Sequence, residues 1–446
     1  MTLTLTNSRF AFLVVCLCTL SITATLPASA EEPITQTKPN IVVFLADDLG
    51  WNDVGYHGSE IRTPKLDSLA ASGVQLKQFY VQSLCTPTRA AFLTGRYPFR
   101  YRIGTITPSS QKGLSTAERT LAEALKAQGY ETAIVGKWHL GHNNRKFLPL
   151  QRGFDHQYGC YGGAVDYITH MRGSTLDWHR NEKKLVTEGY ATTLLANEAS
   201  DLIEAHDTTI PLFLYLAFTA AHLPLQAPRE YIKKYKTMPG VPRRIYAAMV
   251  TCMDDAIGQV MASLEKKGMR ENTLVIFSSD NGGAINCGAD NSPYRGSKGE
   301  DYEGAVRVPA FFNWPGHLKP AQVQAPLHIV DFYPTLLTLA GGSLEQPLAL
   351  DGVDIWKTLT LEEPSPHEEI VLYMSQTRSA IRRGDWKIMK NNKKVELFNL
   401  ADDPVEANDL GRNKAFRSNR MELLKRVAEY QSDLALLPSE GKAAHE

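Results

Sequence analysis

Short apolar runs alternate along most of the chain with segments of helical periodicity. The apolar runs contain many β-branched residues and have the length of buried strands, whereas the periodic segments predict helices. This alternation favours βα units and a largely parallel sheet flanked by helices over an all-β sandwich, so the predicted fold class is α/β. The predicted strands cover residues 41–46, 131–135, 212–218 and 274–278, and two predicted helices cover about 190–206 and 243–267.

Capping signals mark the starts of two further helices. Thr63 is followed by Pro64, a pair that is typical of an N-cap and the first helical position. Ser115 and Glu118 have the spacing of a capping box, which predicts a helix that begins there and ends at Gly129. Both helices lie between the first two predicted strands.

The last quarter of the chain has a different pattern. Its short alternating segments predict a small antiparallel sheet, followed by a helix over about 415–433. The lysine-rich stretch 390–394 is interpreted as a hairpin turn between two of these strands. We therefore expect a catalytic domain of residues 31–345 and a C-terminal subdomain of residues 346–446. The predicted short strands cover 370–373, 378–381, 386–389 and 395–398.

The first thirty residues have the pattern of a secretory signal peptide. Arg9 precedes the apolar run 10–20, and the small residues 28–30 (ASA) resemble a cleavage site. The alternative is a membrane anchor, but the apolar run is well short of the roughly 20 residues that a spanning helix needs. We expect residues 1–30 to be removed, and the mature protein to be periplasmic or secreted, without stable membrane insertion.

Charge and cysteine content exclude several kinds of partner and site. The chain has 48 Lys+Arg against 48 Asp+Glu and no long run of one sign, so it lacks the basic surface that nucleic-acid binding requires. Beyond residue 30 only Cys85, Cys160, Cys252 and Cys287 remain, and none of their spacings forms a CxxC zinc site. A disulfide scaffold is excluded, although a single bridge remains open.

Polar residues follow each of the four predicted strands at its carboxyl end. In open α/β sheets, ligands bind at this edge, so one polar active site accounts for the pattern. The oxygen-rich members favour a hard cation such as Ca²⁺, with Mg²⁺ as the alternative, over zinc. An Asp pair alone also fits a turn or a helix cap. The residues are Asp47 and Asp48, then Lys137 and His139, then His222, and then Asp280 and Asn281.

The segment from Cys85 to Arg96, CTPTRAAFLTGR, carries the most specific motif. It resembles the signature of the type I formylglycine-dependent sulfatases. Further segments of the mature chain resemble the same family, among them PNIVVFLADDLGWNDVGYHG, GYETAIVGKWHLG, AFTAAHLPLQAP, FSSDNGG and YRGSKG. Within the family, the chain is most similar to the arylsulfatase B (N-acetylgalactosamine-4-sulfatase) branch and to related bacterial polysaccharide sulfatases.

The resemblance implies an alkaline-phosphatase-like fold and a specific chemistry. Cys85 would be converted by a maturation enzyme to formylglycine (3-oxoalanine), whose hydrate attacks the sulfur of a sulfate monoester. Cys85 would then join Asp47, Asp48, Asp280 and Asn281 as a metal ligand. The implied catalytic residues are Arg89 beside the nucleophile, Lys137 and Lys298 as positive charges, His222 and Lys298 as proton donors to the leaving oxygen, and His139 as the base that regenerates the aldehyde.

The expected substrate is a sulfated galactose or N-acetylgalactosamine residue of a glycan. The segment 162–181 offers polar and aromatic side chains for a sugar subsite, with plain surface structure as the alternative. The proposed contacts are Trp178 for stacking, and Asp166, His170, His179 and Arg180 for hydroxyl or sulfate groups. The alternative functions are a phosphomonoester or phosphonate hydrolase of the same superfamily and an inactive carbohydrate-binding relative.

Overall fold

Parallel strands form the centre of the molecule. The computed structural model describes residues 38–436, and the predicted signal peptide lies outside them. A ten-stranded sheet has the order β13-β2-β12-β11-β1-β10-β4-β5-β8-β9, and the strands from β11 to β5 in this order run parallel. Its strands are β1 (Asn40–Ala46), β2 (Val74–Leu76), β4 (Glu131–Gly136), β5 (His156–Gly159), β8 (His179–Arg180), β9 (Lys183–Lys184), β10 (Leu212–Ala217), β11 (Thr273–Ser279), β12 (Ala310–Asn313) and β13 (Ala321–Val323).

Helices cover both faces of this sheet. Alternate residues of β1 point to opposite faces, so Val43 joins one apolar core with α2, α3 and α8, and Phe44 joins another with α1, α4 and α6. Continuous burial on both faces explains the unbroken apolar runs of the sequence. The helices are α1 (Pro64–Ala71), α2 (Cys85–Thr94), α3 (Leu121–Lys126), α4 (Ala191–Ala205), α5 (Arg229–Lys234), α6 (Val241–Lys266), α7 (Glu303–Val306), α8 (Phe332–Leu339), α9 (Trp356–Leu361) and α10 (Arg417–Leu436).

The predicted capping box of α3 is wrong by five residues. The box is formed by Thr120, whose hydroxyl accepts the Glu123 N–H (3.1 Å), and by the Glu123 carboxylate, which accepts the Thr120 N–H (2.7 Å). Glu118 instead faces Arg96, with 3.0 Å between its carboxylate and the guanidinium Nε. The ion pair removes Glu118 from the helix start, so α3 begins later than its sequence signal indicates.

The predicted antiparallel sheet is present near the C-terminus. Its strands follow one another in chain order, and α10 contacts the two central ones. The proposed domain boundary near residue 345 falls between α8 and α9. The strands are β15 (Glu369–Met374), β16 (Arg378–Arg383), β17 (Trp386–Asn391) and β18 (Lys394–Asn399), and the smaller pairs are β3 (Phe79–Tyr80) with β14 (Leu327–His328) and β6 (Met171–Arg172) with β7 (Thr175–Leu176).

Two predictions, one on disulfides and one on membrane spans, can be compared with the described residues 38–436. Cys85, Cys160, Cys252 and Cys287 are all free thiols, so the disulfide that the sequence left open is not formed. In the same residues, no helix combines the length and the apolar character needed to span a bilayer.

Candidate active site

Neighbouring parallel strands bring the predicted polar residues together. In the order β11, β1, β10, β4, each strand pairs with the next in parallel register, so their carboxyl ends lie at one edge. Asp280 follows β11, the pair Asp47 and Asp48 follows β1, and Lys137 follows β4. All four residues are buried, at most 4% exposed. The position of charged residues at this edge is as the sequence predicted.

Helix α2 adds Cys85 and Arg89 from the side of the first core. Leu84 has extended backbone, and the helix begins at Cys85, so Cys85 and Arg89 lie one turn apart on the same face. The Cys85 sulfur and one carboxylate oxygen each of Asp47 and Asp280 lie within 4.8 Å of one another. The motif cysteine is therefore beside the carboxylates at the strand ends.

A buried network of ion pairs holds this centre. Arg89 donates from Nε and Nη2 to Oδ2 of Asp280, at 2.9 and 2.7 Å, and from Nη1 to the carbonyl oxygen of Lys137 at 3.0 Å. The Lys137 ammonium contacts Oδ2 of Asp47. Every charged group in this network has a partner of opposite sign, which offsets the cost of burying it.

Lys298 and His222 face Asp48 on the more open side of the site. The Lys298 ammonium lies 2.6 and 2.8 Å from the two carboxylate oxygens of Asp48. Nε2 of His222 is 3.8 Å from Oδ2 of Asp48, while its Nδ1 is 2.8 Å from the carbonyl oxygen of Leu223. Both side chains keep some exposure, at 17% and 21%, so they lie where a substrate can enter.

The oxygen donors of the site fit a hard cation. Oδ1 of Asp47 and Oδ1 of Asn281 are buried, and neither has a hydrogen-bond partner. Buried acceptors without partners are rare, and a cation between them would satisfy both. The carboxylates of Asp48 and Asp280 and the position of Cys85 complete an oxygen-rich set that suits Ca²⁺ or Mg²⁺.

Burial and charge set the protonation states of the central groups. Burial raises the pKa of the Cys85 thiol, and Lys137 only partly opposes this effect. Burial alone would lower the pKa of Lys137, but Asp47, Cys85 and Asp280 together outweigh burial and raise that pKa. Burial, together with the charges of Lys137 and Arg89, lowers the pKa of His139 well below its usual value. At neutral pH, Lys137 is charged, and both the Cys85 thiol and the His139 ring are neutral.

His139 is fixed by its backbone and by one loop. It has a positive φ of 57°, as Asp48 does at 62°, and such strained conformations are concentrated at functional sites. Nε2 of His139 lies 3.0 Å from the carbonyl oxygen of Ile106, and its buried Nδ1 has no partner. Thr86 connects both segments, because its hydroxyl donates to the carbonyl oxygen of His139 and accepts the Ile106 N–H. The sequence signals did not identify Ile106 or Thr86.

Comparisons with known proteins assign the chain to a family. The sequence model of the Sulfatase family matches residues 39–343. The chain belongs to the sulfatase family. A second model, described as N-sulphoglucosamine sulphohydrolase, C-terminal, matches residues 298–433 of this sulfatase. The predicted family is therefore confirmed, and the protein is a sulfuric ester hydrolase.

Curated relatives of this sulfatase act on sulfate esters by name. Arylsulfatase J of Mus musculus is 36% identical, with 88% of this chain and 76% of the relative covered. N-acetylgalactosamine-6-sulfatase of Mus musculus is 35% identical, with 82% and 74% covered. These matches extend over most of both chains.

Solved structures confirm the predicted alkaline-phosphatase-like fold. The crystal structure of Ps i-CgsB in complex with k-i-k-neocarrahexaose has a TM-score of 0.83 and 32% identity, with 89% of this chain and 93% of that chain covered. The phosphonate monoester hydrolase of Agrobacterium radiobacter has a TM-score of 0.66 and 19% identity, which shows a shared fold only. The family match therefore favours the sulfatase over the phosphonate hydrolase that was the alternative.

The predicted stacking role of Trp178 in this sulfatase is wrong. Trp178 is fully buried, with its ring centroid 5.4 Å from that of Tyr158 and 4.6 Å from that of His170. His170 is also fully buried, so neither ring presents a face to a sugar. Both residues belong to the segment 162–181 and pack inside the protein. The local sequence pattern did not indicate this burial.

The other predicted sugar contacts are engaged within the protein. The His179 ring is buried and stacks on Tyr161, with 4.1 Å between the centroids. Arg180 is exposed and pairs with Glu198. Asp166 is half-buried and accepts a hydrogen bond from Gln226 at 2.7 Å. Only Asp166 and Arg180 of the predicted set therefore have side-chain surface that a substrate can reach.

Proposed function

We propose that this sulfatase is an exported, formylglycine-dependent enzyme that removes sulfate from galactose or N-acetylgalactosamine residues of polysaccharides or oligosaccharides. The observation that most strongly supports this function is the position of Cys85, at the start of α2 and beside Asp47 and Asp280. In this proposal a maturation enzyme converts Cys85 to formylglycine. Asp47, Asp48, Asp280, Asn281 and residue 85 then hold Ca²⁺, or Mg²⁺ as the alternative.

The bound cation would supply Lewis-acid stabilisation of the negative oxygens of the sulfate group. The chain's own charges act in the same direction. The ammonium groups of Lys137 and Lys298 are held in place before substrate binds, so they stabilise developing charge without reorganisation. Arg89 is held by Asp280 and orients residue 85 through the first turn of α2.

Proton transfer is assigned to two sides of the site. Lys298 and His222 lie on the exposed side, where the leaving alcohol departs, so they are the proposed donors to its oxygen. His139 is buried with a lowered pKa, and its neutral ring suits the acceptance of a proton from residue 85. The two histidines are separated in position, because His139 is buried and His222 is partly exposed.

Relatives support a glycan substrate. One curated relative is an N-acetylgalactosamine-6-sulfatase, and the structure of Ps i-CgsB was determined with k-i-k-neocarrahexaose. The likeness to the N-acetylgalactosamine-4-sulfatase branch favours the 4-position in this chain. Asp166 and Arg180 stay in the proposal as contacts to hydroxyl or sulfate groups.

We propose that a cavity lined by Leu84, the residue before Cys85, holds the sugar that is linked to the sulfated residue. Its volume is about 430 Å³, and its walls are mainly apolar. Leu84 precedes Cys85, Thr105 precedes Ile106, and Tyr373 comes from the C-terminal sheet. Mainly apolar walls suit the less polar face of a pyranose ring.

Gly104 provides a direct test of this subsite. It lines the cavity, and a Cβ there would meet no atom within 4 Å and no backbone strain. Gly104→Trp should therefore fill the cavity and lower kcat/KM for sulfated galactan or chondroitin oligosaccharides by about 10-fold or more, with little effect on a small aryl sulfate. Gly104→Ala is the matched control, and equal effects of Gly104→Trp on both substrates would reject the subsite.

The proposed reaction itself is tested by sulfate release. Wild-type protein should release sulfate from 4-sulfated galactose-type oligosaccharides, and Cys85→Ala should abolish turnover while the melting temperature stays near that of the wild type. Turnover by Cys85→Ala would reject the nucleophile. Activity confined to 6-sulfated or N-sulfated sugars would reject the 4-sulfatase assignment.

Export and domain division complete the proposal. Residues 1–30 would act as a signal peptide, residues 31–345 as the catalytic domain, and residues 346–446 as the C-terminal subdomain. The N-terminal sequence of protein from the periplasm or medium tests the first part, because cleavage predicts a chain that begins near residue 31.

A further inference from the structure

The segment that carries Lys298 has little regular structure of its own. Residues 288–302, between β11 and α7, contain no helix or strand. The backbone N–H groups of Lys298 and Gly299 each donate one hydrogen bond, to the Gly283 carbonyl (3.2 Å) and to the Ser83 carbonyl (2.9 Å). Asp48 holds the ammonium end of the Lys298 side chain, and the backbone from which that side chain leaves needs a restraint of its own.

Arg378 of the C-terminal sheet supplies a restraint from the opposite side. Its Nη2 donates to the carbonyl oxygen of Gly299 at 2.6 Å, one residue from Lys298. Its Nε and Nη2 also donate to the two carboxylate oxygens of Asp301, at 2.6 and 2.7 Å. The Arg378 Cζ atom lies over the Tyr373 ring, 4.6 Å from its centroid, and this stacking fixes the plane of the forked guanidinium group.

We propose that Arg378 is a positioning residue that holds Lys298 in its catalytic place, and this inference rests on the proposed function of Lys298. The guanidinium binds the chain on both sides of residue 300, so it fixes the direction in which the Lys298 side chain leaves the backbone. The C-terminal sheet thereby takes part in catalysis without touching the reacting atoms.

The consequence depends on the leaving group. Lys298 is a proposed proton donor to the leaving oxygen, and a sugar alcohol needs that proton far more than a nitrophenol does. A displaced Lys298 should therefore slow sulfated sugars more than activated aryl sulfates. A purely structural role for Arg378 would lower activity on all substrates equally, in proportion to the folded fraction.

The first experiment compares Arg378→Gln with Arg426→Gln. Arg426 makes a similar two-nitrogen contact with Glu369, within the same C-terminal part of the chain but away from Lys298, and is therefore the matched control. Arg378→Gln should lower kcat for a sulfated galactoside by about 10- to 100-fold, with a smaller loss for nitrophenyl sulfate and a small change in KM. Arg378→Lys should recover only part of the loss, because an ammonium cannot reproduce the fork. A loss that is equal on all substrates, or equal to that of Arg426→Gln, would overturn the proposal.

A double-mutant cycle identifies the residue through which Arg378 acts. Once Lys298 is replaced by Ala, the further change Arg378→Gln should lower kcat by less than about 2-fold, since the positioned group is already gone. Full additivity of the two losses would contradict the proposal.

Hydrogen exchange tests the same restraint without any turnover. The amide protons of Lys298 and Gly299 should exchange faster in Arg378→Gln than in the wild type, and at the wild-type rate in Arg426→Gln. Unchanged exchange in Arg378→Gln would overturn the inference even in an active enzyme. Absence of sulfate release by the wild type, with faster exchange in Arg378→Gln, would instead reject the proposed function and retain the restraint.

Discussion

At the scale of single residues, two unpartnered oxygen atoms distinguish the active site from an ordinary buried charge network. Arg89, Lys137 and Lys298 leave few acceptor atoms of the carboxylates unused, yet Oδ1 of Asp47 and Oδ1 of Asn281 remain without partners. Because a buried acceptor without a partner costs stability, these atoms mark the place where the proposed cation would bind.

Removal of the cation is the first prediction at this scale. Chelation should suppress sulfate release, and Ca²⁺ should restore it. Asn281→Ala deletes one oxygen donor without leaving an unpaired buried charge, so it should raise the Ca²⁺ concentration for half-maximal activity by about 10-fold or more. Calcium titration of both proteins measures this shift, with melting temperatures as the control for folding. Recovery with zinc alone would contradict the ligand set.

Trp178 carries the second prediction. Because its ring is fully buried, Trp178→Ala should lower the free energy of unfolding by about 3–5 kcal/mol. Turnover per folded molecule should stay near the wild-type value on both aryl and glycan substrates, as measured by denaturant unfolding and parallel sulfate assays. Trp178→Phe should lose less stability. A loss limited to glycans, at unchanged stability, would restore the stacking role.

The carboxylates at the strand ends and the buried Trp178 show why some site positions follow from sequence and others do not. Asp47 and Asp280 directly follow long apolar strands, and parallel pairing necessarily brings their side chains to one edge. Trp178 lies just before β8, a two-residue strand with no apolar period, so its burial against Tyr158 depends on a distant pairing. Local pattern carries no information on such a contact.

At the scale of elements, a buried charge cluster joins α7 to the C-terminal sheet. Lys387 of β17 lies 2.9 Å from a carboxylate oxygen of Glu303 and 2.9 Å from one of Glu406. Glu406 also accepts the Glu303 N–H at the start of α7. All three side chains are fully buried, so the junction depends on their protonation states.

Glu406 gives this junction a predictable pH dependence. Burial and the nearby Glu303 raise its pKa from 4.5 to about 7, although Lys387 opposes the shift. The folded state therefore binds more protons than the unfolded state between those values, and this group's contribution to the free energy of unfolding falls as pH rises from about 4.5 to 7. Glu406→Gln should remove that fall. Unfolding curves at several pH values measure the difference, and parallel curves for wild type and variant would contradict it.

The start of α3 shows a limit of prediction at the element scale. The sequence predicted a capping box at Ser115 and Glu118, but the box forms five residues later, at Thr120 and Glu123. The tertiary ion pair of Glu118 with Arg96 decides between them. Strand and helix positions that rest on long apolar patterns, such as β11 and α6, are as predicted because they do not depend on one distant partner.

At the scale of the whole molecule, the alternation of strands and helices predicted the central sheet, and short alternating segments predicted the antiparallel C-terminal sheet. The relation between these parts was not predicted. Arg378 reaches the Lys298 segment, and Tyr373 lines the cavity near Cys85, although about 80 residues separate Arg378 from Lys298 in the chain. Such contacts are set by docking of two sheets, which has no periodic signature.

The central claim is that residue 85 is formylglycine in the active enzyme. Cleavage after Lys77 and Arg89 releases the peptide of residues 78–89, which contains residue 85. In active wild-type protein, made in a host that contains the maturation enzyme, the mass of this peptide should lie about 18 Da below that of the cysteine form. Fully active protein whose peptide keeps the mass and the thiol of cysteine would contradict the account.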